Sequence, residues 1–286
     1  MNGEKLSWEF CQNNSDEILA SGLERLRSVK KYDSSIRLPS TAGNYVISND
    51  NTPLYTGEAG DLASRLKQQF SKNTSTFYKN YAQKQSHLEI KQNLQIEDFD
   101  VKFIETKIGR KELEEFGIVN LPTPLNKLQR GKRDIYDSPM QSDNWDKVQS
   151  EYSEIIKDGG KTVLTFKPVN WVDAKPFPES GLYVISNDSD EIIYIGESSN
   201  VGDRYSTHSK NTYFSAFRRN LGTKLLGFRL KEKNGMKRYF EPDENGQVDD
   251  YIRNCKIILQ IVSFGRFELE EYLIRTIQPI LNKKSK

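Results

Sequence analysis

Gly181-Leu182-Tyr183-Val184-Ile185-Ser186-Asn187-Asp188, followed by Ile193-Tyr194-Ile195-Gly196-Glu197, is the stretch on which the fold turns. Its first half is aromatic and β-branched, then come Asn and Asp, then a second short apolar run. Side chains of that kind pack well on a pleated surface, and Asn and Asp tolerate the left-handed backbone of a tight turn, so the stretch reads as a β-hairpin. The same string occurs once more. Gly43-Asn44-Tyr45-Val46-Ile47-Ser48-Asn49-Asp50 and Leu54-Tyr55-Thr56-Gly57-Glu58 stand earlier in the chain.

Working outward, the likeness continues on both sides. Gly109-Arg110-Lys111-Glu112-Leu113-Glu114-Glu115-Phe116 recurs as Gly265-Arg266-Phe267-Glu268-Leu269-Glu270-Glu271-Tyr272, and both copies reach Leu-Asn-Lys, at Leu125-Asn126-Lys127 and Leu281-Asn282-Lys283. Upstream, Trp8 precedes Ile18 to Gly22 as Trp145 precedes Ile155 to Gly159. The offset between copies is 137 at the tryptophans (145 − 8), 138 at the first tyrosines, 139 at the second and 156 at the glutamates (270 − 114). A jump that late places an insertion in the second copy, most naturally the polar Lys231–Asp250 stretch, read as a solvated or DNA-reading loop. The expected division is residues 1–130 for one domain, a polar linker at 131–143 containing Pro139, and residues 144–286 for the second domain.

Periodicity places the other elements. Val101–Ile108 and Ile257–Phe264 are apolar runs suited to a third strand. Asp61–Phe70 and Asn200–Thr207 read as helices after each hairpin. Arg266–Gln278 carries Phe267, Leu269, Tyr272, Leu273, Ile274 and Ile277 at helical spacing, with Pro279 ending the run. Each copy is therefore expected to be α+β, a small mainly antiparallel sheet of about three strands flanked by helices.

Bulk properties bound the function. The 286 residues, 35% hydrophobic and 29% charged, suit two globular domains and exclude a disordered chain. No apolar run reaches the length of a membrane span, and Glu4, Lys5 and Glu9 interrupt any signal-peptide core. Two cysteines, Cys11 and Cys255, form neither a disulfide framework nor a zinc-ligand pattern, which points to a reducing cytoplasm. A net charge of +2, from 42 basic and 40 acidic residues, permits a local basic groove without showing one. Trp8, Trp145 and Trp171 read as core or linker packing, and His87 has no motif around it.

The second copy resembles the GIY-YIG nuclease family. Gly181-Leu182-Tyr183 is followed by Tyr194-Ile195-Gly196, then Arg204, His208 four residues on, Glu270, and Asn282 twelve residues beyond it. Each motif alone is cheap to find by chance; the ordered set, present with a second copy, is specific. The first copy carries Tyr45, Tyr55, Arg65, Glu114 and Asn126 with the same spacing from glutamate to asparagine. It departs at Gln69, where the second copy has His208, at Thr56, and at Gly117, Pro122 and Pro124, which interrupt the end of the last helix.

The resemblance implies hydrolysis of DNA phosphodiesters with Mg²⁺, for which Mn²⁺ would substitute. Glu270, and Glu114 in the first copy, would hold the metal, since one carboxylate suits an ion that keeps most of its waters. Arg204 would clamp the scissile phosphate with its fork of donors. Tyr183 is the implied general base, His208 its hydrogen-bond partner or proton acceptor. Tyr194 would position water or phosphate, and Asn282 would brace the glutamate or the backbone. Arg218 and Arg219 follow Phe214 and Phe217 on an expected helix, and Lys283 and Lys284 form a basic tail. All four are candidates for contacts to the DNA backbone, beside the plainer readings of an amphipathic helix face and a basic terminus. Asp100-Val101-Lys102 offers a rival carboxylate–lysine pair, but lies in a strand that the repeat already explains. Three functions stand open: a restriction-type endonuclease acting on duplex DNA as a pseudo-dimer in one chain or as a homodimer; a structure-specific repair nuclease or nickase; and a DNA-binding module without chemistry.

Overall fold

The computed structural model describes residues 6–35, 37–72, 74–84, 94–126, 133–138, 144–233 and 235–282. The chain divides into two compact units, Met1–Ile155 and Ile156–Lys286.

In the first unit, helices α1 (Trp8–Asn13) and α2 (Ser15–Ser28) precede a hairpin of β1 (Gly43–Asn49) and β2 (Thr52–Ala59). Then come α3 (Leu62–Gln69), α4 (Thr76–Lys84), β3 (Asp100–Glu105) and α5 (Arg110–Asn120). The hairpin turns on Asp50 and Asn51, both at positive φ (47° and 61°), the geometry whose twist matches that of the flanking strands. The sheet is antiparallel in the order β2-β1-β3. The central strand is covered on both faces, so Gly43 to Ser48 are all buried. Tyr45 and Ile47 pack into a core with Tyr55, Leu62, Leu66, Phe77, Phe99 and Leu125.

Helix α6 (Trp145–Thr165) spans the boundary between the units. Its start belongs to the first unit, where Trp145 N–H donates to Ser21 Oγ (3.1 Å) and Gln149 Nε2 donates to the Ile108 carbonyl (2.9 Å). Of the stretch expected as a linker, residues 133–138 are described. They too are tied to the first unit, by Arg133 to Asp16 (2.9 Å) and by Tyr136 N–H to Asn120 Oδ1 (2.9 Å).

The second unit continues with β4 (Val169–Asn170), β5 (Gly181–Ser186), β6 (Ile192–Ser198), α7 (Val201–Lys210) and α8 (Ala216–Lys224). After these come β7 (Lys231–Lys233), β8 (Met236–Tyr239), α9 (Pro242–Arg253), β9 (Lys256–Ile261) and α10 (Arg266–Ile277). Its main sheet, β4-β9-β5-β6, is antiparallel, and its register repeats that of the first unit. Tyr183 stands opposite Gly196 and Leu259, as Tyr45 stands opposite Gly57 and Phe103. Both hairpins slip register at the same step, Ile47/Ser48 and Ile185/Ser186.

The α+β expectation therefore holds for both units, with two corrections. The third strands end early, at Glu105 and Ile261, because the chain leaves the ladder there: Thr106 and Val262 donate their N–H groups to Ala42 and Ser180. Gly109 and Gly265 then adopt φ of 83° and 78° and open α5 and α10. The second correction concerns Lys231–Asp250, which is not a loop. It forms the β7–β8 hairpin and most of α9, and Val248 on α9 joins the core that holds Tyr183, as does Ile252 two residues past that stretch. The insertion is nonetheless located correctly. Ser75 corresponds to Ser215 (an offset of 140) and Asp100 to Lys256 (156), so the second unit's sixteen extra residues lie between α8 and β9.

Candidate active site

The site of the second unit is built around the phenol of Tyr183, at the centre of β5 and almost wholly buried. Its ring lies across Gly196 of β6, where a Cβ would fall 2.8 Å from Tyr183 Cε2 and nearer still to Cζ and Oη. The glycine of the second motif is thus a slot for the tyrosine of the first. Gly57 and Tyr45 repeat the arrangement. The Tyr194 ring stacks beside Tyr183 at 6.2 Å and 25°.

Two nitrogens converge on the Tyr183 oxygen, the Arg204 one as a donor. Arg204 Nε, one turn into α7, is 3.4 Å away, and His208 Nε2, one turn further along the same face, is 3.0 Å away. His208 is buried among Tyr183, Tyr194 and Phe217, and its Nδ1 lies 2.7 Å from Ser215 Oγ. Burial, and then the charges of Arg204 and Arg218, pull the His208 pKa well below its usual value, so the imidazole is neutral. Burial likewise pushes the Tyr183 phenol up; Tyr194 adds to the rise and Arg204 opposes it.

Glu270 sits half-buried on α10, its Oε1 accepting the Glu197 N–H (3.3 Å), and its charge is felt by both Tyr183 and Tyr194. Asn282 does not brace the glutamate. Its side-chain amide clamps the backbone of Ile195, accepting from N–H at 2.8 Å and donating to the carbonyl at 2.7 Å. It thereby completes the ladder of β6, an edge strand, as a short substitute strand.

The first unit holds the same constellation with one chemical change. Gln69 Nε2 donates to Tyr45 Oη at 2.6 Å. Its Oε1 accepts from Ser75 Oγ (3.1 Å) and from the Phe77 N–H (3.2 Å), which fixes the amide so that it can only donate to the phenol. Ser75 Oγ accepts the Tyr78 N–H (2.7 Å), as Ser215 Oγ accepts the Arg218 N–H (3.0 Å). Arg65 interacts with Tyr45, Tyr55 and Glu114. The prolines at 122 and 124 do not displace Asn126, which clamps Thr56 at 2.9 and 2.8 Å just as Asn282 clamps Ile195. The Thr56 hydroxyl is satisfied by the Tyr45 carbonyl (3.2 Å), and Gly117 leaves room beside it. Glu114 differs in its electrostatics: burial first, then Glu58 and Glu115, push its carboxyl up to about 7.

Arg218 needs correction. It is buried, and its guanidinium is spent on Asp249, the Thr212 hydroxyl and the carbonyls of His208 and Ser209. It holds the α7–α8 corner and has no donor surface to offer DNA. Arg219 is half-buried, with Nη1 on the carbonyls of Thr212 and Tyr213. Lys283 and Lys284 lie outside the described residues.

Sequence reasoning missed two features. One is the serine pair, Ser75 and Ser215, each behind the residue that touches the tyrosine. The other is the ion pair of Arg266 with Glu197 (2.9 Å), matched by Arg110 with Glu58 (2.8 Å), which ties the last helix to the second hairpin strand. Both had a signal, because each residue recurs at the equivalent place in the other copy.

The donor set is also a test for a metal. Among the described residues, no group of three His, Cys, Asp or Glu could hold an ion. Glu270, half-buried near Tyr183 and Tyr194 while the neighbouring Glu197 is paired with Arg266, is a carboxylate that suits an ion which retains waters and takes phosphate oxygens as further ligands.

A small antiparallel sheet with paired tyrosines, an arginine and a neutral histidine on one phenol oxygen, and a carboxylate whose charge reaches both rings, is an arrangement suited to phosphodiester chemistry. Residues 160–286 match the family model of the GIY-YIG catalytic domain, which supports the GIY-YIG nuclease superfamily and, in general terms, endonuclease activity for this part of the chain. The match covers the second unit's sheet and all six of its candidate residues. Comparison with curated proteins and with solved structures gives no match.

Proposed function

We propose that this chain is a Mg²⁺-dependent DNA endonuclease of restriction type, made of two tandem GIY-YIG-like copies, residues 1–130 and 144–286, acting on duplex DNA with one copy to each strand. The observation that carries the catalytic part is the convergence of Arg204 and His208 on the Tyr183 oxygen, with the Glu270 charge beside it. The tandem reading is supported by the repeated register, the Asn126 and Asn282 clamps and the paired serines.

Arg204 grips the scissile phosphate, its charge fixed at any working pH. Tyr183 takes the proton of the attacking water. In the resting protein it is a buried phenol, so it first gives its own proton up to solvent, and donors then hold the phenolate that accepts the water proton. Arg204 Nε–H is one such donor and His208 Nε2–H the other. The Gln69 amide, which can only donate to Tyr45, supports the same polarity in the second unit: the Ser215 hydroxyl donates to Nδ1 and leaves the proton on Nε2. Tyr194 holds the water or a phosphate oxygen next to Tyr183. Glu270 would hold the Mg²⁺, with Glu114 doing so in the first copy; the ion supplies charge neutralisation at the leaving 3′ oxygen. No helix among the described residues is long and apolar enough to cross a membrane. Burial pushes both free thiols, Cys11 and Cys255, up to about 12, which suits a reducing cytoplasm.

The test is cleavage of supercoiled plasmid with Mg²⁺. The wild type is expected to linearise it, Glu270→Ala to lose at least about a hundredfold in rate, and Glu114→Ala to nick without linearising. A Glu270→Ala protein that cuts at the wild-type rate removes the site assignment. Branched DNA cut in preference to plain duplex replaces restriction with a structure-specific role.

A further inference from the structure

The residues between α7 and α8 end in a phenyl ring that packing does not explain. Phe214 is 62% exposed, yet its backbone is tightly held. Its carbonyl accepts from Arg204 Nη1 (3.4 Å), its N–H donates to Asn211 Oδ1 (3.3 Å), and Arg219 Nη1 grips the two preceding carbonyls. An apolar ring fixed in water one residue from a catalytic contact is poised for a partner.

The inserted hairpin builds the rest of that surface. The Tyr213 ring lies 4.6 Å from Phe214 edge-on and 5.3 Å from Tyr239, and the Arg238 guanidinium sits 5.2 Å from the Tyr213 centroid. The Tyr213 hydroxyl meets Met236 Sδ at 2.9 Å. Positive charge collects here: among the described residues none of Arg204, Arg219 and Arg238 forms a salt bridge, although the Glu197 charge acts on Arg204. Their mutual repulsion registers on Arg219, whose pKa falls through burial and then through Arg238 and Arg204. Like charges held together beside the exposed Phe214 ring call for a ligand with both negative charge and planar rings. Among the described residues the first unit shows no such surface: Thr74 stands where Phe214 does, Lys79 where Arg219 does, and the hairpin falls in the residues that are extra to the second unit.

We propose that the Asn211–Ser215 loop and the β7–β8 hairpin form a strand-gripping arm of the C-terminal copy. Phe214 packs on a nucleobase beside the scissile step, and Arg219 and Arg238 take the flanking phosphates. This rests on the nuclease reading of the Tyr183 site and assigns that site a substrate-holding surface built partly from the residues extra to the C-terminal copy.

The experiment uses the full chain carrying both Glu114→Gln and Glu270→Gln, so that DNA is bound and not consumed by either copy, with fluorescein-labelled duplex followed by anisotropy across a salt series. Phe214→Ala is expected to weaken binding about 5- to 100-fold, with Phe214→Trp retaining it and Phe214→Leu not. Arg238→Ala should lower the slope of log Kd against log salt by about one phosphate contact. Melting temperatures should stay at the parent value for the Phe214 variants, because that ring buries little. If the parent binds DNA and the Phe214→Ala and Arg238→Ala variants match it within twofold and with the same salt slope, the arm is refuted while the nuclease reading stands. If the parent binds no duplex, branched or single-stranded DNA, both fall.

Discussion

Gly196→Ala is the sharpest probe of how the site is assembled. The added Cβ would lie 2.8 Å from Tyr183 Cε2 and closer to Cζ and Oη, whereas ordinary contact begins at 3.4 Å. The phenol end must therefore retreat by on the order of 1 Å, and it is walled in by Tyr194 and His208. Overpacking of this kind costs about 1–3 kcal/mol, which for a unit of this size lowers Tm by about 3–10 °C. The same movement breaks the 3.0 Å contact with His208 and the 3.4 Å contact with Arg204, and a misplacement of about 1 Å costs about a hundredfold in rate. Thermal melting and plasmid nicking measure the two effects separately. A double-mutant cycle with Tyr183→Ala assigns the cause: without the ring, Gly196→Ala should lose most of its destabilisation, a coupling of about 1 kcal/mol or more. Wild-type nicking and an unchanged Tm in Gly196→Ala would show that the slot does not hold the tyrosine as described.

Further outcomes follow from the same geometry. His208→Gln should retain activity within about tenfold while His208→Ala loses at least about a hundredfold, because an amide at this position can donate to Tyr183 as Gln69 donates to Tyr45; equal losses in a single-turnover assay would count against a donor role. Burial raises the Tyr183 pKa, so the protonated, inactive form dominates at neutral pH; the cleavage rate should climb up to about tenfold per pH unit from pH 7 to 9, and a flat profile in buffers of constant ionic strength would contradict a phenolate base. Glu114, with its carboxyl at about 7, must shed a proton before it can hold a cation; Mg²⁺ affinity at the first site should fall as pH drops below 7, and calorimetry in buffers of different ionisation enthalpy should register proton release that Glu114→Gln abolishes. Asn282→Ala should leave the Ile195 N–H and carbonyl without their clamp and lower stability by about 1–3 kcal/mol, seen as earlier melting.

Reading residues in order was enough to find the hairpins, the order of the motifs, the twelve residues from Glu270 to Asn282 and the place of the insertion. These are local matters: alternation of buried side chains, turn chemistry and glycine at left-handed positions leave their mark on neighbouring residues. What the residues do to one another is non-local, and there only the tertiary structure decided. Arg218 and Arg219 are adjacent in sequence, yet one is sealed into a corner by Asp249 and the other lies near the site, because successive helical residues point about 100° apart and meet different neighbours. Thr56, Gly117 and Pro122 look like damage along the chain, but Gly117 packs against Thr56 and Asn126 keeps its clamp. The Lys231–Asp250 stretch is polar enough to pass for a loop, since α9 needs only one buried stripe, Val248 and Ile252, to dock. Ser215 and Ser75 carry no signature of their own; their importance comes from an imidazole or an amide that the fold brings to their hydroxyls across six or seven residues of chain.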